Sequence, residues 1–188
     1  EQIMGHVFRG ADLFNTIQNQ RYLFWLKTGE FPETLEQIAD DILPTLAQIT
    51  WRGTARERRR RNVLSTKNEV LLAFIWLRKY PCIDTLALMF DVSMATVSKT
   101  LHRVTQVLWH YFKNQVSWPS LDEWNRLRGN WRSFPNADGC IDGTPHEIYR
   151  PLAELQREFF SGHRHYHLMN TQLIVDNLGN IVFGSLVV

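Results

Sequence analysis

The chain has 188 residues, 44% of them hydrophobic and 21% charged, with a formal net charge of +2. That length buries one sizeable core or two small ones, which excludes a disordered chain. So weak an overall basicity does not define a partner. Cys82 and Cys140 are the only cysteines, too far apart for a metal-finger spacing or a disulfide framework. With no signal-peptide pattern and no apolar run of spanning length, the expectation is a soluble intracellular chain without a membrane partner. The opening at Glu1 and the uncapped apolar run at 181–188 both read as cuts.

Residues 1–51 read as helical. Gly29 and Pro32 mark a break, and Thr34 with Gln37 has the spacing of a capping box ahead of Leu35, Ile38, Ile42 and Leu46. No residue cluster there suggests chemistry. The basic charge is concentrated next: Arg52, Arg56, Arg58, Arg59, Arg60 and Arg61 stand against Glu57 alone. This patch is a candidate phosphate-binding segment, although such runs are more often solvated or nuclear-import segments.

Thr66-Lys67-Asn68-Glu69 predicts a second capping box, opening an apolar helix over 70–77 that Pro81 ends. A short helix over 83–90 follows, then a break at Asp91-Val92-Ser93, then a longer helix with Val97, Leu101, Val104, Leu108 and Phe112 as its stripe. These features fit a helix-turn-helix, in which two helices meet tightly across a sharp turn. Ala87 is the small residue midway along the first helix, and Asp91 occupies the turn position where glycine is commonest. Val92 is the plug, Ser93 the cap, and Val97 and Leu101 the anchors. In that geometry Met94, Ala95, Thr96, Ser98 and Lys99 lie nearest base edges, with His102 and Arg103 towards phosphate. The same pattern also serves plain three-helix packing.

Trp118-Pro119 begins a connector with a short helix around 121–127, closed by Phe134-Pro135-Asn136. Strands then replace helices. One is expected over 139–144, stopped by Pro145, which has no ladder donor, and another over 166–176. Turn chemistry at 177–180 predicts a hairpin into 181–188, whose apolar run calls for cover on both faces. Asp142 stands among small and apolar residues on the first strand. There a buried carboxylate requires either a metal or donors from Thr144 and the turn backbone. His163, His165 and His167 recur at period two on one strand face, which can be read as a metal cluster, but no Cys or second ligand group is near them.

Gly139-Cys140-Ile141-Asp142-Gly143-Thr144-Pro145-His146, Arg150-Pro151, Phe159-Phe160-Ser161-Gly162-His163-Arg164, and Asn170-Thr171-Gln172 with Asp176 together resemble the PIF/Harbinger family of DDE transposases. Trp118-Pro119 and Phe134-Pro135 do so as well. The likeness runs from about Thr66 to the C-terminus. It implies an RNase H-like core in which two Asp and one Glu hold two divalent ions, usually Mg²⁺, for in-line phosphoryl transfer on DNA. Asp142 matches the first catalytic, metal-binding acid. The second and third have no counterpart before Val188, and Asp176 is a companion position at a turn. His146 and Arg164 are candidates for groups beside the acid or on the DNA backbone.

The expected fold is therefore α+β: an all-α region with a helix-turn-helix, then the first strands of an incomplete RNase H-like α/β core. Its parts are 1–62, helical with the basic segment; 63–115, the DNA-binding domain; 116–136, a connector; and 137–188, the start of the nuclease domain. The resemblance further implies double-stranded DNA with terminal inverted repeats as target, a separately encoded Myb-like protein partner, and a nuclear location. An exposed last strand favours homo-oligomers. The alternative is a non-enzymatic DNA-binding protein, domesticated or truncated, in which the helix-turn-helix is the working part.

Overall fold

Asp12 accepts the Asn15 backbone N–H at 3.4 Å, which caps the short helix α1 (Leu13–Ile17). The computed structural model describes residues 10–50, 52, 63–116, 118–129, 131–153 and 155–187. It divides into two units, Glu1–Tyr111 and Phe112–Val188. The class is mixed α+β, helical first and then an antiparallel sheet.

In the first unit α2 (Arg21–Thr28) ends at Gly29, whose φ of 85° is a left-handed cap that a Cβ would strain. α3 (Pro32–Gln48) starts with Pro32 in its first turn and no side-chain cap. The capping box expected at Thr34 is therefore not used, because proline needs no N–H there and already fixes the helical φ. Leu35, Ile38, Ile42 and Leu46 are buried as the helical spacing predicts.

α4 (Thr66–Lys79) is the centre of this unit. Val70, Leu71, Leu72, Ala73 and Ile75 are all buried, and α1, α2 and α3 pack around the helix. A helix apolar on most sides must be enclosed, and each such Leu or Ile contributes about 1.5–3 kcal/mol of burial. Its cap is Ser65, not Thr66: the Ser65 hydroxyl accepts the Asn68 N–H at 3.3 Å. This one-residue shift sends Glu69 inward, where it forms a buried ion pair with Arg103. Asn68, also buried, accepts the Phe14 N–H at 2.8 Å and donates to Asp12 at 2.9 Å, so it fastens α1 onto α4.

α5 (Ile83–Phe90) and α6 (Met94–Phe112) follow, with the bounds the sequence suggested. Leu86 and Phe90 bury α5, while Val97, Thr100, Leu101, Val104, Val107 and Leu108 bury one side of α6. Near its end, the Tyr111 hydroxyl donates to Asp41 of α3 at 2.7 Å.

In the second unit α7 (Leu121–Leu127) carries a complete capping box, Ser120 with Glu123. The sheet contains β1 (Cys140–Glu147), then, after the short α8 (Gln156–Phe159), β2 (Phe160–Ser161), β3 (Tyr166–Val175) and β4 (Ile181–Val187). β3 is the shared strand. Residues 170–175 pair with both β1 and β4, so these two lie on opposite edges of β3, all antiparallel. β1 does not stop at Pro145; it continues to Glu147, with Pro145 opposite Asn170. A strand at the sheet edge tolerates proline because the missing donor can face away from the ladder.

Among the described residues Leu168 and Ile174 are the buried apolar residues of this sheet, and Ile181 keeps 49% of its surface exposed. Val182 and Phe183 are half-buried, and the Phe183 ring meets Trp118 edge-on at 4.9 Å, so β4 is partly covered. Gly139 is required where it is: a Cβ there would come within 2.9 Å of the Ile174 side chain and 3.2 Å of the Val175 carbonyl.

Candidate nucleic-acid interface

The join between α5 and α6 is tightly determined. Asp91 is left-handed at φ 49°, ψ 53°, and the Val92 N–H returns to the Ala87 carbonyl at 3.0 Å. A short polar side chain makes this conformation tolerable without glycine. Ser93 then starts α6: its hydroxyl accepts the Thr96 N–H at 3.2 Å and lies 2.9 Å from the Thr96 hydroxyl. Val92 is half-buried, beside Gly10, and so only partly fills the role of a core plug.

These constraints fix what α6 presents. Met94, Ala95, Lys99 and His102 are exposed, and Thr96 and Ser98 are half-buried. Arg103 is the exception. Its side chain is only 11% exposed and pairs with Glu69, so it does not point to a phosphate. The reason is helical phase: position 103 lies three residues beyond Thr100 and four before Val107, both on the buried side. Gln106, Trp109 and His110 continue the exposed side and were not singled out from the sequence. The available signal was the lack of any Asp or Glu throughout the helix. Arg52 is exposed, whereas Arg56, Arg58, Arg59, Arg60 and Arg61 lie outside the described residues.

Asp142 sits on β1 opposite Leu173, which in turn pairs with Gly184 of β4. Its carboxylate is exposed and accepts the Gly143 N–H at 2.8 Å. Asp142 is therefore not the buried acid its apolar neighbours suggest: this carboxylate keeps its hydration. Among the described residues no three His, Cys, Asp or Glu side chains gather into a metal-binding group. The flanking residues do not fit a two-ion centre, since Asp142 is the sole carboxylate on its row across the sheet.

The histidines are not one strand face. His163 and His165 occupy the tight turn between β2 and β3, and only His167 lies in β3. Ser161 builds that turn, its carbonyl accepting the His165 N–H at 2.7 Å and its hydroxyl the Arg164 N–H at 3.3 Å. His163, Arg164 and His165 are exposed on it, and His146 is exposed on β1.

Asp176 is committed to the turn before β4. It accepts N–H groups of Leu178 at 2.9 Å and Asn180 at 2.8 Å, and the Asn180 side-chain amide at 2.9 Å. The Asn180 amide, against some desolvation and helped by the backbone donors, holds this carboxyl below its ordinary 3.8. A depressed value stabilises the fold above the unfolded value and loses that contribution as pH falls through the folded one. Urea titrations from about pH 5 to about pH 2 should thus find the turn weakening with acid, less so in Asp176→Asn. Identical acid profiles for the two proteins would contradict this role.

Comparison of the chain with protein-family models, with curated proteins and with solved structures finds no match in any of the three. Among the described residues no helix is long and apolar enough to cross a membrane.

Proposed function

We propose that this chain is the DNA-binding front part of a PIF/Harbinger-type DDE transposase, or of a host protein descended from one. In this reading α5 and α6 are the helix-turn-helix, and β1 opens an RNase H-like sheet with Asp142 as its first acid. The observation that carries the reading is the α5–α6 join. A left-handed Asp91 and a Ser93 cap leave the first turns of α6 projecting Met94, Ala95 and Lys99 to solvent. The first turns of a helix so held can enter a major groove. The family motifs around Asp142 supply the rest, including Mg²⁺ for a complete site, a nuclear location, inverted-repeat DNA and a Myb-like partner.

The test is fluorescence anisotropy with a labelled DNA duplex. Neutralisation of about five phosphates by the arginine segment predicts a log-log salt slope of roughly −4 to −5. Lys99→Glu should weaken binding on the order of tenfold or more by placing like charge against the groove. Equal affinity of the two proteins would contradict the assignment of α6.

By itself the chain favours the binding role. One carboxylate leaves divalent cations mostly hydrated and unpositioned, because each takes about six oxygen ligands and a nuclease must hold two ions close together. Incubation of supercoiled DNA with the chain in Mg²⁺ or Mn²⁺ should leave it intact. Nicking that disappears in Asp142→Ala would contradict this.

A further inference from the structure

α6 is nineteen residues long and contains no Asp or Glu, although the chain has 19 acidic residues. Acids are not kept off exposed helix surfaces elsewhere in this unit: α3 exposes Glu33, Asp40 and Asp41, and α5 exposes Asp84. Beyond Met94, the exposed residues of α6 are Ala95, Lys99, His102, Gln106, Trp109 and His110. Spaced by four, three, four and three residues and then one, they form a single stripe down the helix. Trp109, with 68% of its surface exposed, stands near the far end. Tyr111, which meets Asp41, lies on the other side.

At 1.5 Å per residue, Trp109 is about 22 Å from Met94 along the axis. A major groove is about 12 Å wide, so a helix entering end-on would leave Gln106, Trp109 and His110 beyond its reach. Only a duplex lying along the helix would meet the whole stripe. We infer that duplex DNA docks lengthwise on α6, with Gln106, Trp109 and His110 against the phosphodiester backbone beyond the first-turn contacts. The indole N–H and imidazole donate to phosphate oxygens, and the indole face covers sugar. This rests on the DNA-binding reading above and adds the direction of docking.

The experiment measures duplex affinity and salt slope for the full chain and for Gln106→Glu, Gln106→Lys and Trp109→Ala. Position 106 is exposed, and Glu, Lys and Gln have similar helix propensities, so all should keep the same far-ultraviolet dichroism. Lengthwise docking predicts about tenfold weaker binding for Gln106→Glu and a salt slope steeper by about 1 for Gln106→Lys. Trp109→Ala should lose about fivefold. If Lys99→Glu loses affinity while all three variants bind like the parent, docking is end-on: the inference is overturned and the proposed function stands. If the parent chain does not bind duplex DNA, both fail together.

Discussion

Glu69→Ala is expected to destabilise the helical unit by about 3–5 kcal/mol, because it removes the buried carboxylate that Arg103 pairs with. The two side chains are 3% and 11% exposed, and they join α4 to α6 across the core. A buried ion pair is weak evidence of net stabilisation, yet removal of one partner leaves the full desolvation cost of the other. The melting temperature should fall by roughly 10 °C or more. Replacement of both partners, as in Glu69→Leu with Arg103→Met, should recover most of the loss. A Glu69→Ala protein as stable as the parent would show that Arg103 reaches water readily. Arg21–Glu33, by contrast, is more than half exposed on both sides and should tolerate truncation with little change.

Phe90→Ala is the second large effect, at about 3–5 kcal/mol. Phe90 is fully buried at the end of α5, and its carbonyl accepts the Ala11 N–H at 2.9 Å. The N-terminal segment is already tight here, since a Cβ on Gly10 would come within 2.5 Å of Leu64 and 2.9 Å of Val92. Loss of the ring leaves a cavity that close packing keeps from collapsing, directly behind the turn that aims α6. The urea midpoint should drop with an unchanged slope. A cost below about 1 kcal/mol would mean that this corner repacks freely.

The helices were legible where packing has a period. The apolar spacing of α5 and α6, and the Asp91 and Ser93 chemistry between them, gave their bounds and turn, because both are local properties of the chain. Caps were less legible. Ser65 and Thr66 are both good capping residues, and Thr34 with Gln37 has capping-box spacing although Pro32 already starts the helix. Arg103 is buried rather than turned to phosphate because its partner Glu69 lies 34 residues away, and the spacing of Glu69 from Thr66 reads locally as a cap. In the sheet, Pro145 ended the strand only on the assumption of neighbours on both sides. His163 and His165 looked like one strand face because period two cannot tell a strand from a tight turn built on Ser161. Asp142 is legible from its small and apolar neighbours and from its motif; its exposure depends on how the sheet is covered, which no local pattern records.

The central proposal is that the exposed side of α6 reads duplex DNA. Backbone amide shifts, followed by NMR as a short duplex is added to the isotope-labelled chain, address it most directly. The account predicts that Met94, Ala95, Thr96, Ser98 and Lys99 move first and furthest, with the buried α4 amides nearly still. Shifts that leave α6 untouched and gather on the sheet or on α1 to α3 would contradict it.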